Sequence, residues 1–135
     1  MAHFLFEDII SKDPVLNLAG IEVDSAGTNV GQTTAEPEAI QVMREYDINL
    51  SGFKSKSLDR RLVDWADLIL VMDAGHKQTV VAHFPASTNK THVLSEYVQG
   101  NGDIHAPIFG GIEAYRECAA HIQSLLRKVA DTLKS

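Results

Sequence analysis

The 135 residues carry 12 Lys and Arg against 18 Asp and Glu, which gives a net charge of −6. This acidic balance argues against nucleic acid as a partner, and no apolar run reaches the roughly 18 residues that a membrane span needs. The length predicts one domain over residues 1–135. A single cysteine, Cys118, rules out an internal disulfide framework and favours a cytoplasmic protein.

The first part of the chain predicts helices that alternate with two strands. Residues 2–12 place apolar side chains at helical spacing, and residues 21–25 alternate apolar and polar side chains as a strand does. Helices follow at about 36–46 and 58–65. The run LILVM at 68–72 is continuously apolar, which is typical of a strand buried on both faces of a parallel sheet.

The second half continues the alternation. The pattern predicts a helix over 74–84, a short strand over 92–97, a loop rich in Gly, Asn and Asp over 99–111, and a long helix over about 112–133. The order α-β-α-α-β-α-β-α predicts an α/β fold in three layers, with a mostly parallel sheet of about three strands flanked by helices.

No motif in the sequence indicates a metal or a cofactor. The six histidines form no i, i+4 pair, and the chain has no HExxH motif, no Cys/His cluster, no Walker loop and no GxGxxG. We therefore expect neither a metal site nor a cofactor.

Five stretches, in this order and spacing, resemble the low-molecular-weight protein tyrosine phosphatases, a family related to some arsenate reductases. They are VDSAGT at 23–28, DINLSGFKSKSL at 47–58, ADLILVMDAGH at 66–76, HVLSEY at 92–97 and APIFGGIEAYREC at 106–118. The resemblance covers essentially the whole chain. It implies a phosphotyrosine phosphatase I-like fold.

The family's nucleophile loop has no counterpart among these residues. In the family a first strand leads into a Cys-x5-Arg-Ser loop, whose amides and Arg hold a phosphate at a helix N-terminus and whose Cys thiolate attacks phosphorus. The loop commonly continues through Ser-Pro-Met-Ala, and Met1-Ala2 falls on that Met-Ala. The resemblance therefore implies a truncated version of the fold. Cys118 lies on the apolar stripe of the last predicted helix, and we interpret it as a small buried hydrophobe.

The resemblance also implies that the general acid is replaced. The family's acid is the Asp of an Asp-Pro pair before the last helix, and here that position is Ala106, followed by Pro107. Ala106 has no proton to donate to a leaving group. Asp103 and His105 are the titratable neighbours that remain as substitutes.

Four further positions are remnants of the family's substrate and support loops. Phe53 occupies the place where the family usually has a His that supports the phosphate loop, and a phenyl ring cannot make that hydrogen bond. Ser25, a support residue, is retained, and we interpret it as satisfying backbone groups at a strand end. Ile108 and Phe109 follow the former Asp-Pro. Phe109 fits either a wall of the tyrosine slot or a residue that covers the sheet edge.

We interpret the chain as a catalytically inactive relative, a pseudoenzyme that acts as an interaction module for a protein partner. A clipped N-terminus alone would not explain why Ala106 and Phe53 replace the family's general acid and supporting histidine. The alternative is an active phosphotyrosine phosphatase, or an arsenate reductase relative, whose true N-terminus was clipped or misassigned.

The absent strand affects the expected assembly. In the family the sheet order is 2-1-3-4, so the missing strand is central. Burial of its four or so side chains would contribute a free energy of about 6–12 kcal/mol. The typical total stability of a domain is about 5–15 kcal/mol. Either residues 21–25 pair directly with 67–73, or two chains pair their exposed sheet edges or exchange elements. We expect a homodimer.

Overall fold

The computed structural model describes residues 1–27, 36–54, 56–98 and 111–134. In chain order, the elements of these ranges are helix α1 (Ala2–Lys12), α2 (Pro14–Leu18), α3 (Pro37–Arg44), α4 (Arg60–Trp65), strand β1 (Ile69–Val71), α5 (Ala74–His83), a 3₁₀ helix (Pro85–Lys90), β2 (Thr91–Val93), α6 (Leu94–Tyr97) and α7 (Gly111–Lys134).

The sheet is small and parallel. Strands β1 and β2 pair in the register Ile69 to Thr91, Leu70 to His92 and Val71 to Val93. The connection between them runs through α5, as a parallel crossover requires. The predicted α/β class, with a small parallel sheet flanked by helices, is confirmed.

Residues 21–25 do not form the predicted strand. Their side chains alternate between half-buried and exposed, as the sequence pattern indicated, but the segment has no ladder partner in the described ranges. Its nearest pairing is an isolated parallel bridge between Gly27 and Ser57. A strand is defined by hydrogen bonds to a neighbour, which alternation alone does not supply. Direct pairing of 21–25 with 67–73 is therefore wrong.

Helix α2 was not predicted, and its cause is local. The Asp13 carboxylate accepts hydrogen bonds from the amides of Val15 and Leu16, at 3.0 and 3.3 Å. Pro14 occupies the first helical turn, where its missing N–H costs nothing. Asp-Pro thus starts a helix here. The helix ends before Gly20, which has a left-handed φ of 70°.

The predicted strand over 92–97 is shorter than expected. Strand β2 ends at Val93, and Leu94–Tyr97 forms the single turn α6. Leu94 is fully buried in the main core, so an apolar pattern that fits a strand is satisfied by a helical turn instead.

Helix α7 organises the core. Its apolar stripe packs on α1 and α3, and a single cluster joins the three helices to α6. Among its fully or nearly fully buried members are Leu5, Val42, Met43, Leu94, Leu126 and Val129. At about 1.5–3 kcal/mol per buried side chain, this cluster is the main source of stability. In the described ranges, no helix is both long enough and apolar enough to cross a membrane.

Candidate functional site

The candidate site lies at the start of α1, where His3 contacts a distant segment. The His3 ring is only 16% exposed. Its Nδ1 lies 2.7 Å from the Ser25 Oγ, and its Nε2 lies 2.7 Å from Oε1 of Glu7, one helical turn further along α1. An i, i+4 spacing places residues 3 and 7 on the same helix face.

These contacts set the direction of the hydrogen bonds. An ionised carboxylate can only accept, so Nε2 carries a proton and donates it to Glu7. In the neutral ring Nδ1 then has a lone pair, and the Ser25 hydroxyl donates to it. The arrangement is a hydroxyl, an imidazole and a carboxylate connected in series.

The segment that carries Ser25 is held from the other side. Asp24 accepts from the Ser25 amide at 2.8 Å and from Nζ of Lys56 at 2.6 Å. The Gly27 amide donates to the Lys56 carbonyl, and the Leu58 amide donates to the Gly27 carbonyl, each at 2.9 Å. These bonds fix the position of Ser25 next to α1.

Asp24 is the charged centre of this support. Partial burial raises the pKa of its carboxyl, but the hydrogen bonds from Lys56 and the Ser25 amide and the positive charge of Lys56 outweigh that effect. Its pKa therefore lies below the ordinary value, and the carboxylate stays ionised at neutral pH.

Phe53 contributes an apolar wall to the same region. Its ring packs edge-on against Phe4 with centroids 5.7 Å apart, and Phe4 stacks on the His3 ring at 4.6 Å. Phe53 is half-buried against the main core. The position where the sequence analysis noted the loss of a histidine is thus filled by aromatic packing next to His3.

Ser25 has a fuller role than the sequence indicated. The expectation was that its side chain would satisfy backbone groups, whereas its hydroxyl contacts the His3 ring. Sequence reasoning missed His3 because the contact spans 22 residues. The only local signal was the spacing of His3 and Glu7 in the first helical turns.

Cys118 lies on α7, half-buried, and packs against the main core. Burial raises the pKa of its thiol, and the nearby positive charge of the Met1 amino group opposes this only in part. The thiol therefore remains protonated at neutral pH. A protonated, half-buried thiol is a poor nucleophile.

Six of the predicted site residues lie outside the described ranges: Asp103, His105, Ala106, Pro107, Ile108 and Phe109. Their assignments as the general-acid position, its substitutes and the substrate-loop remnants stay predictions. In the part of the chain that the structure covers, no group of three or more His, Cys, Asp or Glu side chains could hold a metal.

Comparison with known proteins matches the chain to one family. The family model for low molecular weight phosphotyrosine protein phosphatase matches residues 1–135. A protein-arginine-phosphatase of Geobacillus stearothermophilus is 35% identical over 120 residues, which cover 87% of this chain and 80% of that protein. The protein-arginine-phosphatase of Bacillus subtilis is 33% identical over 136 residues, covering 99% and 87%.

Solved structures agree with the sequence matches. The YwlE arginine phosphatase from Geobacillus stearothermophilus superposes with a TM-score of 0.86 at 33% identity, covering 98% of this chain and 82% of that one. A low molecular weight protein tyrosine phosphatase from T. tengcongensis gives a TM-score of 0.88 at 28% identity, covering 97% and 88%.

Proposed function

Because the chain belongs to the low molecular weight phosphotyrosine protein phosphatase family, we propose that its 135 residues form a domain that keeps the family scaffold without hydrolysing phosphomonoesters. One observation carries the proposal. The single cysteine is half-buried on α7 with a raised thiol pKa, whereas the family's reaction needs a thiolate surrounded by amide donors.

The sequence around Cys118 supports the same conclusion. The five residues after it, AAHIQ, are followed by Ser124, so Cys-x5-Arg is not formed at this cysteine. All of these positions lie within α7, where amides bond to carbonyls of the same helix. They cannot converge on a phosphate as the amides of a loop do.

Two substitutions support the proposal independently of the nucleophile. Ala106, at the family's general-acid position, cannot protonate a leaving group. Phe53, in place of a supporting histidine, packs on Phe4 and offers no polar atom. We propose that such a domain binds a protein partner in the cytoplasm and does not turn over substrate.

The test is a phosphatase assay on the purified 135-residue chain with para-nitrophenyl phosphate and with a phosphoarginine-containing protein. We expect a rate equal to that of the Cys118→Ser variant and of buffer. A rate that is well above both, and that is lost in Cys118→Ser, would overturn the proposal.

An active phosphatase is the second candidate, and the names of the relatives favour it. They are called protein-arginine-phosphatase, and the family is named for phosphotyrosine proteins. Proteins that carry phosphoarginine and proteins that carry phosphotyrosine are therefore the substrates to test. If the coding DNA upstream of Met1 holds an in-frame Cys-x5-Arg-Ser segment, the extended chain should be assayed beside the 135-residue chain. Activity in the extended chain alone would support this candidate.

We also propose that the chain forms a homodimer through the edge of β1. Within the described ranges β1 pairs only with β2, and Ile69 and Leu70 are half-buried. A second copy offers an identical edge, which suits a two-fold contact. Light scattering after gel filtration should give twice the mass of one chain, and a Leu70→Lys variant should be monomeric. A monomer at every concentration of the unaltered chain would refute the dimer.

A further inference from the structure

We propose that Ser25, His3 and Glu7 form a hydrolytic triad that attacks carboxylic esters with an apolar acyl group. This is an acyl-transfer activity, distinct from phosphoryl transfer, and it does not depend on the function proposed above. The geometry points to it because a hydroxyl, a base and an orienting carboxylate lie in series at 2.7 Å and 2.7 Å.

The contacts of each group suit its role in the triad. In the neutral tautomer of His3 that donates from Nε2 to Glu7, Nδ1 faces the Ser25 hydroxyl with its lone pair. His3 is mostly buried, and Ser25 is half-buried. The base is therefore shielded from bulk water, while the serine keeps a path to solvent. Glu7 touches neither substrate nor Ser25 and is a positioning residue.

The support around Ser25 is consistent with a fixed nucleophile. Lys56 and the Ser25 amide bind the two oxygens of Asp24, and the Gly27 bridge holds the following residues. A nucleophile held in one position reacts faster because less orientational freedom is lost in the transition state.

The aromatic wall defines the substrate class. Phe4 stacks on His3 and Phe53 packs on Phe4, which gives an apolar surface next to the base. An apolar acyl chain would bury carbon against these rings, whereas a charged one would lose hydration there.

The reaction balances with water as the only co-reactant. The Ser25 Oγ bonds to the carbonyl carbon, its proton moves to Nδ1 of His3, and the carbonyl electron pair moves to oxygen. The bond to the alcohol then breaks, the alcohol takes the proton from His3, and the acyl group stays on Ser25. Water attacks the acyl group with the same proton transfers, releases the carboxylic acid and restores the hydroxyl.

The test uses an alkyl fluorophosphonate, which labels activated serines, followed by peptide mass mapping. We expect one adduct, on Ser25. His3→Gln keeps a hydrogen-bonding amide near Ser25 but cannot serve as a base, and it should lower the labelling rate about 100-fold or more. Glu7→Gln should lower the rate by a smaller factor, and Glu7→Asp should restore part of it.

Ser11→Ala is the matched control, because Ser11 is an exposed serine on the same helix that donates to the Asp8 carbonyl. It should leave labelling unchanged. A parallel assay with 4-nitrophenyl butyrate should show acylation that Ser25→Ala abolishes. Absence of an adduct, an adduct on another residue, or full labelling of a folded His3→Gln variant would each overturn the proposal.

Discussion

His3 joins the first turn of α1 to a segment 22 residues away through its contact with Ser25. Both of its ring nitrogens are used, and its ring face is covered by Phe4. A side chain with this many partners in a mostly buried position contributes to stability as well as to any chemistry, because each buried polar atom must keep a hydrogen-bond partner.

The first prediction is that His3 and Ser25 are energetically coupled. A double-mutant cycle with His3→Ala and Ser25→Ala should give a coupling free energy of about 0.5–1.5 kcal/mol, since either substitution removes the same hydrogen bond. Urea unfolding of the four proteins measures it. Additive effects would mean that the two side chains do not interact in solution.

A second prediction concerns Cys118. Because burial raises the pKa of its thiol, the folded state holds this proton more tightly than the unfolded state. The associated stability is present below the unfolded pKa of about 8.5 and is lost as the pH rises through the higher folded pKa. Unfolding free energy should therefore decline above about pH 9.

The Cys118→Ala variant separates this effect from other groups. Burial also raises the pKa of Tyr115, so some alkaline decline should remain in the variant, at higher pH. Urea midpoints measured from neutral to alkaline pH should show a shallower fall for Cys118→Ala. Identical pH profiles would show that the thiol has its ordinary pKa.

At the scale of elements, α7 contributes unequally along its length. Leu126 is 3% exposed in the main core, whereas Leu133, two turns later, is 38% exposed. The same substitution at the two positions thus compares core packing with a partly solvated helix end. The change in intrinsic helix propensity is nearly the same at both positions, so it does not affect the comparison.

The third prediction follows from this pair. Leu126→Ala should lower the unfolding free energy by about 2–5 kcal/mol, because it removes buried carbon and leaves a cavity. Leu133→Ala should cost less than about 1 kcal/mol. Thermal and urea unfolding measure both. Similar losses at the two sites would contradict the helix packing described above.

An element could be predicted from the sequence when the residues that determine it lie close together in the chain. The long helices α1 and α7 follow from apolar spacing within one window, and β1 follows from one apolar run. The strand expected at 21–25 failed because its ladder needs a partner elsewhere in the chain. Helix α2 was missed because Asp13-Pro14 fits both a turn and a helix start.

The candidate site was harder to predict than the fold. Ser25 was found through a family resemblance, but its partner His3 was not, since no local pattern links residues 3 and 25. The interpretation of Phe53 as the loss of a hydrogen-bonding group stays a prediction. The packing of Phe53 on Phe4 depends on how α1 meets the loop, and that is tertiary information.

For the whole molecule, ion pairs connect parts that are distant in sequence. Lys134 near the end of α7 donates to Asp13 at the start of α2 at 2.7 Å, and Lys56 donates to Asp24 at 2.6 Å. Arg116 binds Glu45 through two nitrogens. Most of these groups are partly exposed, so each pair alone contributes little at ordinary salt. Their joint effect on the unfolding free energy becomes measurable when acid protonates the carboxylates.

The last prediction concerns acid stability. The pKa of Asp13 is lowered mainly by the hydrogen bond from Lys134, with help from the α2 amides, and that of Asp24 is lowered mainly by Lys56 despite partial burial. A lowered folded pKa means that the contribution is present above the unfolded value of about 3.9 and is lost as the pH falls through the folded pKa. Unfolding free energy should therefore decline steeply below about pH 4.

Asp13→Asn and Asp24→Asn test the assignment, because an amide accepts a hydrogen bond without titrating. Each variant should be less stable at pH 7 and should lose less stability between about pH 5 and pH 2 than the unaltered chain. Asp64→Asn is the control, since Asp64 is exposed and lies 3.7 Å from Arg60. If the control flattens the acid slope as much as the other two, general charge repulsion is responsible and the two specific pairs are not.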